Sequence, residues 1–255
     1  MQVPIELDEG KINVLVSRAP HPADTWTVPH VQSSFDRGET KHIKDAFLDA
    51  LLLARQVDTN PEWFVKTIFK KYFFESDYAT VVEIIHNILG PDMKGSRHLR
   101  SVSAVHDYDN QYYGYSCTDS TVTATFIEMP DGRGYLVICG SAFLYGGIGK
   151  GYANAASLTC DMFDRPGMTL NAMLPLGGIL LHEFTHYKKL LSPPLWSEAM
   201  DHAYAFKECR DLINQPDPSR PALYNADSYT YFLLELFWSS ACGCDFDDEG
   251  RKIRR

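Results

Sequence analysis

The feature that most constrains this 255-residue chain is the run His182-Glu183-Phe184-Thr185-His186. It has the spacing HExxH and follows the apolar stretch 177–181, so we predict that it lies in a partly buried helix. Positions i and i+4 lie one helical turn apart on one face, and two imidazoles so placed can bind one zinc ion. Glu183 follows the first histidine directly, where its carboxylate can take the proton of an attacking water.

A catalytic zinc site needs a third protein ligand, and the next helix, predicted over Ser197 to Ile213, can supply it. Its candidates are Glu198, Asp201, His202 and Glu208. Within a helix, residues three or four apart share a face, which would bring Tyr204 to the same side as Asp201. A tyrosine there can donate a hydrogen bond to the oxyanion of a tetrahedral intermediate. Position alone does not choose between an aspartate and a glutamate ligand.

Composition and charge exclude some classes of binding partner for this chain. The chain has 24 basic and 33 acidic residues and a net charge of −9, which argues against nucleic acid and anionic membrane surfaces as partners. No apolar stretch approaches the roughly 18 residues needed to span a bilayer, and residues 1–20 show no signal peptide. The six cysteines include no CxxC pair, so structural disulfides and scattered buried thiols both remain open.

Hydrophobic periodicity predicts a single α+β domain over residues 1–255, with a small, antiparallel-rich sheet. It comprises an extended lead-in (1–39), a helical part (40–97), and a strand-rich part with the catalytic helices (98–255). Helices are expected from Thr40 to Ala54, from Asn60 to Phe69, from Ser76 or Asp77 to Leu89, from Asn171 through the HExxH run, over Ser197 to Ile213 and over Asn225 to Ala241. Strands are expected at Ile12 to Val16, Ser101 to His106, Tyr112 to Ser116, Thr121 to Glu128 and Tyr135 to Gly140. The basic run Arg251 to Arg255 is interpreted as a disordered tail.

Three motifs together resemble the deuterolysin family, the fungal aspzincins that include peptidyl-Lys metalloendopeptidases. They are the HEFTH run, Asp201-x-x-Tyr204, and the NADSY run at Asn225 to Tyr229. The resemblance implies a zincin-like fold, one zinc ion per chain, Asp201 as the third ligand and Tyr204 as the residue that stabilises the transition state. The chain departs from the family pattern in lacking Gly-Thr before Asp201 and in having Ala205 where the family has glycine.

The same resemblance implies two disulfides, secretion and a protein or peptide substrate. One bridge would join Cys117 to Cys139, and the other would join Cys160 to Cys242 or Cys244. A monomer is expected. Asp227 is open to two interpretations: it can hydrogen-bond a zinc-ligand histidine, or extend the helix cap that begins at Asn225.

Two functional hypotheses follow. The first is a zinc-dependent metalloendopeptidase in which Glu183 is the general base for an attacking water. The alternative is a secreted, non-catalytic zinc-binding protein on a zincin fold, such as an antigen, effector or scavenger. Intact Glu183 and Tyr204 favour the enzyme, since a scavenger needs neither residue.

Overall fold

The computed structural model describes residues 26–106, 117, 122–143, 151–195, 199–215 and 221–254. The strands in these ranges are β1 (His30–Val31), β2 (Val102–His106), β3 (Ala124–Glu128), β4 (Gly134–Ile138), β5 (Cys244–Phe246) and β6 (Lys252–Arg254). The α-helices are α1 (Arg37–Ala54), α2 (Gln56–Thr59), α3 (Glu62–Phe69), α4 (Tyr78–Leu89), α5 (Leu176–Thr185), α6 (Ala205–Leu212) and α7 (Ala226–Cys242). Two predicted strands, Ile12 to Val16 and Tyr112 to Ser116, lie outside the described residues.

The first long helix forms where the sequence predicts it but begins earlier. Asp36, not Thr40, is its N-cap: the Asp36 carboxylate accepts the Glu39 amide at 2.8 Å, and the Glu39 carboxylate accepts the Asp36 amide at 3.0 Å. This reciprocal capping box satisfies two backbone donors that the helix leaves without partners. The predicted apolar stripe from Ile43 to Ala54 is buried along the helix.

The next helix shows a similar shift at its start. Pro61 occupies the N-cap position of α3, and the Asn60 side chain donates to the Gln56 carbonyl instead of capping. The fourth helix ends at Gly90, which has φ of +70°. Glycine is favoured there because L-residues with a side chain rarely adopt positive φ.

The main sheet is mixed, which corrects the expectation of an antiparallel-rich sheet. Its order is β1-β2-β4-β3, with β1 parallel to β2 and β2 parallel to β4. The turn at residues 129–133 does give the predicted antiparallel pair, with Ala124 opposite Ile138 in β3 and β4. Parallel pairing of β1 and β2 is possible because the whole helical part of the chain connects them.

The carboxyl-terminal basic residues form a strand, contrary to the prediction. Lys252–Arg254 forms β6, which pairs antiparallel with β5, so this run is not a disordered tail. The turn between them is held by the Asp247 carboxylate, which accepts the Glu249 and Arg251 amides at 3.0 and 2.8 Å. No helix in the described ranges is long and apolar enough to cross a membrane.

Helix α5, which carries the HExxH run, is the centre of the packing. It contacts α1, α7 and β3, and nine of its ten residues are buried. The approach to α1 is close at Gly177, where an added Cβ would lie 2.7 Å from the Ala46 carbonyl oxygen and 2.8 Å from the Ala50 nitrogen. These two neighbours are backbone atoms, and the Asp49 Cβ is closer still, so the two helices would have to separate to accept a side chain.

We therefore expect Gly177→Ala to destabilise the fold by about 1–3 kcal/mol, although alanine is the better helix former. Gly178→Ala is the matched control, because its Cβ would meet only the movable end of the Leu174 side chain. Urea unfolding of both variants measures the difference. Equal or greater stability of Gly177→Ala would contradict the close contact between α1 and α5.

Two disulfides join distant parts of the chain, as the family resemblance implies. Cys117 bonds Cys139, and Cys160 bonds Cys242 rather than Cys244. The second bridge spans 82 residues of sequence and ties the segment before α5 to the end of α7. In the chain-entropy model a loop of that size stabilises the fold by about 4–5 kcal/mol. Cys209 and Cys244 are buried and take part in neither bridge.

One buried carboxylate on α1 faces the same interior as α5. Asp49 is 9% exposed, and its Oδ2 accepts the Ala155 amide at 2.7 Å. Burial raises the pKa of Asp49 to about 7, against the lowering effect of that hydrogen bond. In the unfolded chain the carboxyl group would titrate near its ordinary pKa of 3.8.

Below about pH 4 the Asp49 carboxyl group is protonated in both the folded and the unfolded chain, so it does not change the stability of the fold. As the pH rises to 7 the unfolded chain ionises more readily than the folded one, so Asp49 progressively destabilises the fold. Asp49→Asn is neutral throughout, so we expect its stability relative to the parent to increase across that window by about 2–4 kcal/mol. Urea unfolding from pH 4 to 8 measures this. Asp211→Asn, which removes an exposed aspartate of α6, should show no comparable increase.

Candidate metal centre

Three predicted side chains meet at the end of α5. The His182 and His186 Nε2 atoms are 3.2 Å apart, and Asp201 Oδ1 lies 3.2 Å from the first and 3.5 Å from the second. Among the described residues they form one group of histidine and carboxylate donors within metal-binding range. His182 is buried, His186 is partly buried and Asp201 is exposed, so the group opens toward solvent on the aspartate side.

The size of this triangle fits zinc. Zinc lies about 2.0–2.1 Å from nitrogen and carboxylate ligands, so two ligands of a tetrahedral site are about 3.3 Å apart. The three observed separations, 3.2, 3.2 and 3.5 Å, are close to that edge length. Three protein donors also leave the fourth position of a tetrahedron open, as in catalytic zinc sites.

The orientation of both rings is set by the nitrogen that faces away from the triangle. His182 Nδ1 hydrogen-bonds Asp227 Oδ1 at 2.6 Å, and His186 Nδ1 hydrogen-bonds the Ala199 carbonyl at 2.8 Å. Both acceptors require a proton on Nδ1, which leaves each neutral ring with its Nε2 lone pair directed at the triangle. Asp227 is therefore the hydrogen-bond partner of a candidate ligand, as one interpretation from sequence predicts, and it also lies in the first turn of α7, as the other predicts.

Asp201 reaches the triangle from a non-helical segment. The helix predicted over Ser197 to Ile213 begins only at Ala205, so the expected sharing of a helical face by Asp201 and Tyr204 is wrong. Glu198, the alternative ligand, lies outside the described residues. His202 is exposed, and Glu208 accepts the Tyr204 amide at 3.0 Å instead of joining the triangle.

Glu183 lies beside the triangle and is 5% exposed. Burial raises its pKa above the ordinary value, and the lowering effects of the two histidines and of the Phe126 backbone amide do not offset this. Phe126 belongs to β3, the strand that packs against α5.

Charges around the triangle act on each other strongly. Burial lowers the pKa of His182, but hydrogen bonds to Asp201 and Asp227 raise it well above its ordinary value. Partial burial raises the pKa of Asp201, yet hydrogen bonds with His182 and Tyr204 leave it lowered overall. Partial burial and the Asp201 carboxylate raise the pKa of Tyr204, whose 56% exposed side chain thus keeps its proton.

The first residue of α6 has an unusual backbone conformation. Ala205 has φ of +68°, a left-handed conformation that costs a residue with a Cβ about 1–2 kcal/mol. Its amide donates to Asp227 Oδ2 at 3.1 Å, so the carboxylate that orients His182 also holds this turn. The strained residue stands at the position where the sequence resemblance expects glycine.

Ala205→Gly should therefore raise the stability of the metal-free protein, because glycine adopts positive φ without strain. Glycine also makes the unfolded chain more flexible, which reduces the net gain to about 0.5–1 kcal/mol. Ala203→Gly, two residues earlier at a position without positive φ, is the control and should lower stability. Urea unfolding at matched pH measures both changes. A loss of stability in Ala205→Gly would contradict the assignment of strain to this turn.

Comparison with known proteins agrees with the family resemblance. A stretch of 60 residues is 38% identical to neutral protease 2 homolog MEP6 of Coccidioides posadasii and 37% identical to neutral protease 2 homolog MEP5 of the same organism. The stretch is 24% of this chain and 14% of each relative, so the chain matches only a small part of their length. No family model matches the chain.

A solved zinc peptidase from Grifola frondosa superposes on 79% of this chain and 97% of its own, with a TM-score of 0.48 and 16% identity. That degree of likeness is below what establishes a common fold. The deuterolysin-like resemblance is supported by the motifs and by the matched stretch of the neutral protease 2 homologs.

Two features of the centre do not follow from local sequence patterns. One is the packing of β3 beside Glu183's helix, because the placement of a strand beside a helix is a tertiary feature. The other is Asn225, which lies at the N-cap of α7 but whose side chain bonds the segment after Asp201 instead of the helix end. An asparagine two residues before an aspartate, at the start of an apolar helix, is the signal that the sequence offers.

Proposed function

We propose that this protein is a zinc-dependent metalloendopeptidase of deuterolysin-like type. The observation that carries the proposal is the triangle of His182, His186 and Asp201, whose separations suit tetrahedral zinc. The hydrogen-bonded Nδ1 atoms add support, because they turn both imidazole lone pairs toward one point. The matched stretch of the neutral protease 2 homologs supports the same class of enzyme.

In this proposal His182, His186 and Asp201 hold the zinc ion, one per chain. Bound zinc supplies Lewis acidity, which acidifies water and polarises a peptide carbonyl. Glu183 takes the proton from the attacking water and delivers it to the leaving amine. Tyr204, exposed beside Asp201, donates a hydrogen bond to the oxygen that becomes negatively charged at the tetrahedral carbon.

Substrate and compartment follow from the same proposal. A protein or peptide is the substrate, and the exposed side of Asp201 is where it would approach. The two disulfides favour an oxidising compartment, which agrees with a secreted enzyme.

The decisive variant is Glu183→Gln, which keeps the size and polarity of the side chain but removes its basicity. We expect zinc to remain bound at one ion per chain, and casein hydrolysis to fall by at least about 100-fold. Metal content measured on the purified variant and an assay with added zinc separate the two effects. Glu62→Gln, which removes an exposed carboxylate paired with Lys66 on α3, is the control and should leave hydrolysis unchanged.

Hydrolysis that survives in Glu183→Gln would rule out Glu183 as the base. A parent protein that binds zinc but leaves casein and unfolded peptides intact would favour the non-catalytic zinc-binding hypothesis. A parent protein that binds no zinc would overturn the proposal altogether.

A further inference from the structure

The third candidate ligand is not held in place by a helix. Asp201 lies in the non-helical segment 199–204, whose Ala199 amide donates to the Thr185 carbonyl at the end of α5. Beyond that point the backbone runs along the start of α7. The Met200 amide donates to the Tyr224 carbonyl at 2.6 Å, and the Ala226 amide donates to the Met200 carbonyl at 3.0 Å.

On the other side of Asp201, one side chain accepts the first two backbone amides. Asn225 is completely buried, and its Oδ1 accepts the amides of His202 and Ala203, both at 2.9 Å. These are the two residues that directly follow Asp201 in the chain. Accepting two adjacent amides fixes the direction of the peptide planes, and with them the direction in which the Asp201 side chain leaves the backbone.

The amide group of Asn225 is itself fixed in orientation. Its Nδ2 donates to Ser228 Oγ at 3.1 Å and lies 3.6 Å from Cys209 Sγ. These partners occupy the donor end of the side chain, so its oxygen is the end that faces the segment 202–203.

We propose that Asn225 is a positioning residue for the metal site, which presents Asp201 to the two histidines by holding the backbone that follows it. This inference rests on the proposed function of the triangle. Two residues later, Asp227 bonds His182 and the Ala205 amide. One turn at the start of α7 thus orients one histidine ligand and the aspartate ligand together.

The test measures zinc affinity by competition with a chromophoric chelator, and amide hydrogen exchange in the metal-free protein. In Asn225→Ala we expect zinc affinity to fall by about 10–100-fold, as for other residues that orient metal ligands. The amides of His202 and Ala203 should exchange faster, because each loses its acceptor. Asn225→Asp keeps the accepting oxygen and should retain the slow exchange of both amides.

The matched control is Tyr229→Phe. It also removes a buried hydrogen bond near the start of α7, from the Tyr229 hydroxyl to the Leu223 carbonyl at 2.9 Å, but this bond does not touch the segment that carries Asp201. It should lower stability while leaving zinc affinity and the exchange of His202 and Ala203 unchanged.

Parent-like zinc affinity or parent-like exchange in Asn225→Ala would overturn the inference. So would a folded Asn225→Asp in which both amides exchange rapidly, and this variant decides the matter if Asn225→Ala does not fold. Failure of the parent protein to bind zinc would refute the proposed function, while the exchange data would still decide whether Asn225 holds the segment.

Discussion

The hydrogen bonds to the outer nitrogens of His182 and His186 are the interactions on which the candidate centre depends. An imidazole has two nitrogens and can rotate, so helical spacing alone does not determine which atom faces a metal. Asp227 and the Ala199 carbonyl remove that freedom by accepting from Nδ1 of each ring. Both acceptors come from outside α5, so the HExxH run becomes a potential metal site only in the folded chain.

The packing of α5 explains why the site can be rigid at an otherwise open edge. Its apolar residues are buried against α1, α7 and β3, while the two histidines lie at its carboxyl-terminal end. The close contact at Gly177 fixes the helix against α1, and β3 packs against the same helix. Rotation of the helix would disrupt all of these contacts together, so precision at the triangle is a property of the whole interior.

Local patterns were sufficient to predict much of this arrangement. The HExxH spacing, the apolar stripe of α1 and the hairpin of β3 and β4 depend on residues close together in sequence, and the structure has all three. The non-helical conformation at Asp201 differs from the prediction because helical spacing after residue 197 indicates one continuous helix. What interrupts it is non-local: Asn225 and Asp227 bond the amides of residues 202, 203 and 205 from another part of the chain. The parallel pairing of β1 and β2 is equally non-local.

The bridge between Cys160 and Cys242 encloses both histidines of the HExxH run, Asp201 and the start of α7 within one covalent ring. Breaking a single peptide bond anywhere inside that ring would open the polypeptide without releasing either piece. A nick of this kind, made by any protease, would leave the two fragments tethered through the disulfide. Damage of this kind would become visible as two separate bands only after reduction.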